Sequence, residues 1–450
     1  MPTLRLATRI KLKRILNIAI PSGLQGLFDM LSVSMALFFL GEISPLNFAA
    51  LSTGASYIFV FFPLSAIFGM GTNVLMSRRF GAKNFSEMNA VYSTMNLASA
   101  LASLLVLLLA WAFLPSYLRL FNLSDELYAL TFSYVSLTIF AIPSIMIKNV
   151  LISGFAATGD TKRPFYIKIF LTFFSILGYY TLINGNLGMP RLELVGAAYV
   201  TLIISYLELF LLFALPLFVK TQLKLRLRFH ISFLISALKV GLPTALERIF
   251  GMVAINIVLI FVGQYASVYG DSAITGFKAG GQIEGFSFLP GFGFMIAVMS
   301  LVGQSIGAKK LHLAEEYTRL SVRIAAVILG VCGVILAIFA KPLAEIFIKA
   351  DATGVEIAVA YLLAVGLSQV PLIMAFIYDG AIRGAGWTQI PLFINISSMT
   401  LFRLVPMWIC SSMGAGLYAL FFIIFLETYI RAIIFYFVFK SGIWKKTREL

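Results

Sequence analysis

The stretch Leu289–Lys310 reads LPGFGFMIAVMSLVGQSIGAKK, and a degraded copy lies upstream at Phe62–Lys83, FPLSAIFGMGTNVLMSRRFGAK. Each copy has a Pro near its start, a Gly-x-Gly after it and a closing Gly-Ala-Lys. Two copies in one chain point to a duplication, and the register extends outward from them. IPSGLQGLFDM from Ile20 matches LPTALERIFGM from Leu242, so Pro21 aligns with Pro243. Gly41 aligns with Gly263, and ATGDTKRP ending at Pro164 aligns with GAGWTQIP ending at Pro391. GAAY from Gly196 resembles GAGLY from Gly414. Matches in order at a nearly constant offset are hard to obtain by chance.

Composition says where such a chain lives. Hydrophobic residues make up 60% of it and charged residues 12%. A soluble domain cannot hide that much apolar surface, so the chain reads as a polytopic membrane protein. Roughly 20 apolar residues cross a bilayer. By that rule there are twelve helices, at about 15–40, 48–77, 91–115, 126–152, 164–186, 192–219, 236–263, 272–305, 316–340, 354–380, 389–411 and 414–440. The second and eighth are long, so a tilt or bend is expected in each.

The net charge of +15 is concentrated in alternate loops. The tail to Arg14, the loops at Arg78–Lys83, Lys162–Arg163, Lys220–Arg228, Lys309–Arg319 and Arg383, and the end from Lys440 to Arg448 fall on one side. The opposite loops carry only Arg119, Arg191, Lys341 and Lys349. The positive-inside bias then places both termini in the cytoplasm of a cell inner membrane. No basic soluble domain with stacking aromatics is present, so nucleic acid is not an expected partner. Cys332 and Cys410 both sit in apolar runs and form neither a disulfide framework nor a metal motif.

Six helices per copy is an even number, so both copies enter the membrane the same way. The expected fold class is all-α integral membrane, two six-helix lobes about a pseudo-two-fold along the membrane normal. Domains follow: a tail 1–14, an N-lobe 15–219, a linker 220–235, a C-lobe 236–440 and a tail 441–450. Cargo would pass between the lobes, and a monomer would suffice. Pro21, Pro243 and Pro290 are candidate hinges, the first two because the duplication carries both.

Charges inside spans cost about 3 kcal/mol each on insertion scales, so intramembrane acids are candidate functional groups. Glu247 follows Pro243 by one turn and occupies the repeat position of Gln25. Asp29 has no opposite charge within a helical turn. Glu284 and Lys278 lie six apart on different faces of the eighth span and are expected to seek partners elsewhere. Asp379 with Arg383, and Glu427 with Arg431, are four apart and favour local ion pairs. Glu208 is an orphan of lower weight. The expected coupling site is Glu247, Glu284 and Asp379, with Asp29 acting in the other lobe. The expected substrate cavity is Lys278, Phe250, Phe286, Phe288, Phe292 and Met252. A buried carboxyl that binds either a proton or an organic cation makes an antiporter.

Several segments resemble the multidrug and toxic compound extrusion family: Pro290-Gly291-Phe292-Gly293, Val302-Gly303-Gln304-Ser305-Ile306-Gly307-Ala308, Arg383-Gly384-Ala385-Gly386, Leu242–Arg248 and Gly159–Pro164. The resemblance implies two six-helix lobes and export of amphipathic, often cationic compounds driven by a proton or sodium gradient. The cofactor expectation is none beyond H+ or Na+, and the expected partners are small amphipathic substrates and membrane lipids. Relatives often carry an Asp five residues before the Gly that matches Gly41, where this chain has Ala36. Near the usual polar positions of the fifth helix it has Ser175 and Tyr179. The rival reading is a flippase for a lipid-linked or anionic amphiphile, which would use Lys148, Lys168, Lys278 and Arg403. No HExxH, GxSxG or true phosphate loop occurs, so an enzyme is not expected.

Overall fold

The computed structural model describes residues 2–226, 228–348 and 351–446. Lys349 and Arg448, counted above for topology, lie outside them. Among the described residues every regular element is helical. Ten helices are long and apolar enough to cross a membrane, and two bent pairs pass the same test, giving twelve spans when each pair is one. The spans are α1 (Pro2–Ile43), α2a (Pro45–Val60) with α2b (Phe62–Gly81), α3 (Phe85–Arg119), α4 (Asp125–Thr158), α5 (Lys162–Leu182) and α6 (Glu193–Phe218). Then come α7 (Ile231–Gly263), α8 (Ser272–Gly307), α9 (Leu311–Ile338), α10a (Ala352–Leu367) with α10b (Gln369–Gly384), α11 (Gln389–Ser412) and α12 (Leu417–Lys440). All twelve expected spans are present.

The repeated motifs turn out to be helix stops. In Gly81-Ala82-Lys83 and Gly307-Ala308-Lys309 the lysines adopt φ of 59° and 57°. In each, the next residue's amide reaches back across the last turn, Asn84 N to Arg79 O at 2.9 Å and Lys310 N to Ser305 O at 2.8 Å. The Gly159 and Gly386 turns repeat the arrangement, with φ of 87° and 82°. There Asp160 N reaches Phe155 O at 3.0 Å and Trp387 N reaches Ile382 O at 3.1 Å. Such left-handed caps satisfy carbonyls that a helix end leaves open.

Both broken spans have a proline just after the break. The second span bends by 43° at Phe61, ahead of Pro63. The eighth span, also expected to tilt or bend, is one unbroken helix from Ser272 to Gly307 with Pro290 inside it. The tenth span bends by 52° at Ser368. Pro371 has no N–H for the carbonyl of Leu367. Tyr429 on α12 fills that place, its hydroxyl donating to Leu367 O at 2.9 Å. In α11 a π-helical turn, Thr400–Leu404, precedes Pro406, the same device of widening a turn where an N–H is missing.

Two compact units result, one of Leu24–Leu242 and one of Met1–Gly23 with Pro243–Leu450. The units divide inside α1 and α7. Close backbone crossings explain this. In the second unit a Cβ on Gly293 would lie 2.1 Å from Ala19 O and 2.6 Å from Gly23 N. That contact is why the Pro-Gly-Phe-Gly run has no side chain there. Ile15, Ile18 and Ala19 join Phe294, Val298 and Leu301 in its apolar core, and Arg14 donates to Gln304 Oε1 at 2.8 Å. In the first unit the start of α7 is clamped likewise: a Cβ on Gly241 would lie 2.0 Å from Ile67 O.

Candidate functional site

Three helices of the Pro243–Leu450 unit converge on one guanidinium. On α7, Thr244 and Glu247 are three apart and share a face just after Pro243. On α10b, Asp379 and Arg383 are four apart and form the expected ion pair through Arg383 Nε and Asp379 Oδ1. A second bond runs from Nη2 to Oδ2 at 3.1 Å. Arg383 also donates to Thr244 Oγ1 at 2.7 Å and to Glu247 Oε2 at 2.5 Å. Asn395 of α11 donates to Glu247 Oε1 at 2.9 Å and to Asp379 Oδ2 at 3.2 Å. Arg248 acts electrostatically on all three charged groups. Asn395 was not identified from sequence; its signal was an amide within an apolar span.

The members of this cluster differ in access. The Arg383 side chain is 2% exposed and that of Asp379 is 8%, while Glu247 is 21% exposed. Arg383 and Asp379 thus form a buried, doubly bonded anchor. Glu247 is the least buried of the three.

Glu284, expected beside Glu247 and Asp379, belongs to a different group. It accepts from Tyr361 OH at 2.6 Å, and the cations acting on it are Arg403 and Arg431. These two arginines also flank Glu427 of α12, at 2.5 Å and 3.3 Å. Glu427 is fully buried and accepts from Ser398 at 2.7 Å. Arg403 reaches it from the π turn of α11. Lys278 is exposed and has no hydrogen-bond or ion-pair partner among the described residues. A buried Lys–acid pair across helices is not formed there.

That kind of pair occurs in the Leu24–Leu242 unit. Glu208 of α6, rated an orphan from sequence, is buried and accepts from Lys148 of α4 at 2.6 Å and Lys168 of α5 at 3.3 Å. Lys168 also pairs with Asp29 of α1. Two lysines and two carboxylates therefore balance in a four-helix cluster. A turn further along, Ser32 and Ser175 hydroxyls meet at 3.0 Å. Tyr179 OH lies 3.3 Å from Thr201 Oγ1. Sequence spacing within α1 gave no sign of the lysine that Asp29 meets.

Among the proposed cavity residues, Phe288 and Phe292 pack on Phe376 with ring centroids 6.4 Å and 5.3 Å apart. Phe286 and Met252 are each 37% exposed, and Phe250 is half-buried. Pro21, Pro243 and Pro290 all lie inside continuous helices. Among the described residues no three His, Cys, Asp or Glu side chains gather as a metal site would require.

Comparison with known proteins fits this architecture. The probable multidrug resistance protein NorM of Thermotoga maritima is 24% identical over 444 residues, 97% of this chain and 94% of that one. The FAD transporter of Shewanella oneidensis is 24% identical over 400 residues, 87% of this chain and 86% of that one. A MOP superfamily transporter from Pyrococcus furiosus shares the fold with a TM-score of 0.89, at 19% identity over 97% of each chain. The family model MatE matches residues 21–181 and again 243–409. Those two matches start at the paired prolines, Pro21 and Pro243, and together take in most of the sequence. The chain therefore belongs to the MatE family of membrane transporters.

Proposed function

We propose that the chain is a secondary active exporter, moving amphipathic and often cationic compounds by alternating access in exchange for protons or sodium ions. The observation that carries the reading is the arrangement around Arg383. One guanidinium is shared by two carboxylates of unequal exposure on two helices. Loss of the Glu247 charge, by protonation or by pairing with a transported cation, weakens the tie between α7 and α10b. Asp379 keeps Arg383 paired meanwhile. Proton, sodium ion and organic cation then compete for the same carboxylate. The multidrug resistance relative supports this substrate class. The Asp29–Lys168–Glu208 chain is the corresponding charge relay of the other unit, with Lys168 occupying the place of a transported cation. The protein works as a monomer, since two lobes complete a path, and sits in the cell membrane with both termini cytoplasmic on the strength of its loop charges.

Lys278 and the FAD-transporting relative favour a second reading, an anionic amphiphile as cargo. One experiment separates them. Purified protein in vesicles is loaded with ethidium or, separately, with FAD, and proton and sodium gradients are imposed one at a time. The first reading requires ethidium movement that follows one imposed gradient. Movement of FAD alone would replace it by the second.

A further inference from the structure

The linker between α6 and α7 carries a motif that export does not use: Leu223-Lys224-Leu225-Arg226-Leu227-Arg228. Apolar and basic residues alternate along this stretch of sequence. Leu223 is buried, whereas Lys224, Leu225, Arg226 and Arg228 are exposed. The linker is held against α3 by side chains that bond its backbone. Asn89 donates to Gln222 O at 3.1 Å and accepts from Lys224 N at 2.8 Å. Ser93 Oγ accepts from Arg226 N at 2.9 Å, and Thr94 Oγ1 from His230 N at 3.1 Å. Between the linker and the first turn of α3 lies a cavity of 210 Å³ lined by Lys224, Arg226, Arg228, Asn89, Gln222 and Ser86.

None of the three cations has an acidic partner among the described residues. The nearest acid in sequence on that turn, Glu87, is taken by Arg79 at 3.2 Å. Lysines and arginines that serve only to set topology need no fixed backbone and no cavity. Here three charges line one hollow, on a linker whose backbone is held in place by Asn89 and Ser93. The volume is below that of a drug-sized site and suits a phosphate with a small polar substituent. We infer that this cavity binds a phosphate-bearing anion, the headgroup chemistry of acidic lipids in the adjoining leaflet. The inference uses only the membrane-spanning fold and stands apart from the coupling proposal.

The test uses the full chain in detergent, titrated with short-chain phosphatidylglycerol, short-chain phosphatidylcholine and inorganic phosphate, with bound molecules counted by native mass spectrometry. Arg226→Gln/Arg228→Gln is compared with Lys309→Gln/Lys310→Gln, which removes the same charge from another helix stop. The clasp uses backbone atoms of the linker, so the first variant keeps its shape. Phosphatidylglycerol is expected to bind about tenfold more weakly to the linker variant and unchanged to the control. Inorganic phosphate that binds the linker as tightly as the lipid identifies a free anion as the source of the same chemistry. Equal weakening in both double variants, or no preference of phosphatidylglycerol over phosphatidylcholine together with no phosphate binding, overturns the inference.

Discussion

Arg383 reaches from α10b to Glu247 on α7 at 2.5 Å while gripping Asp379 on its own helix. The two carboxylates look alike in sequence, yet they have unequal duties. Asp379 neutralises a guanidinium that is almost wholly buried. Glu247 adds a second, more accessible tie.

Removing the anchor should therefore harm the fold. Asp379→Asn leaves the buried Arg383 with Glu247 as its single close carboxylate, and is expected to cost about 3 kcal/mol of stability. Thermal unfolding in detergent checks this, with a clear drop in midpoint for Asp379→Asn. Glu247→Gln keeps an acceptor for Arg383 and is expected to change stability by less than about 1 kcal/mol.

The same reasoning ranks the acids of the other unit. Glu208→Gln strips a carboxylate from Lys148 and Lys168 together, and should lower stability by about 3 kcal/mol. Asp29 is 61% exposed at its side chain, so Asp29→Asn should cost under about 1 kcal/mol. Urea or thermal unfolding of the two variants, side by side, would show the order. A larger loss for Asp29→Asn would reverse the assignment.

Much of this fold was legible in the sequence, and the reasons are physical. Bilayer thickness fixes span length, so twelve apolar runs gave twelve spans. The GAK and GD/GW turns repeat because each closes a helix with the same backbone cap, a local device that residue type reveals. Local charge pairs such as Asp379 with Arg383 follow from helical spacing. What spacing does not carry is the rotation of one helix against another. Asp29 meeting Lys168, Glu208 meeting two lysines, and Glu284 falling beside Arg403 and Arg431 all depend on that packing. The bend of the second span was expected from its length. Length gave no sign of the break in the tenth span, which is set by Pro371 and by a hydroxyl supplied from α12.

That hydroxyl is testable. Tyr429→Phe leaves the Leu367 carbonyl without its donor at the break. A loss of about 1 kcal/mol is expected, read as a lowered unfolding midpoint, with the neighbouring exposed Tyr436→Phe as a control near zero.

Glycine positions offer a sharper contrast. Gly241→Ala would drive a methyl to within 2.0 Å of Ile67 O, whereas Gly251 has nothing within 4 Å. The first substitution should destabilise by about 1–3 kcal/mol, because backbone must shift. The second should stabilise by roughly 0.5–1 kcal/mol through reduced chain entropy. Paired melting curves decide it, and equal effects would mean that the two helices are not in such close contact.

The central claim is that Glu247 is the exchangeable charge. Its most direct test is ethidium efflux from vesicles under an imposed gradient, comparing the unaltered chain with Glu247→Gln at matched protein content and matched thermal midpoint. The account predicts that Glu247→Gln loses gradient-driven efflux by at least about tenfold while remaining folded. Efflux by Glu247→Gln equal to that of the unaltered chain, with the same dependence on the gradient, would contradict it.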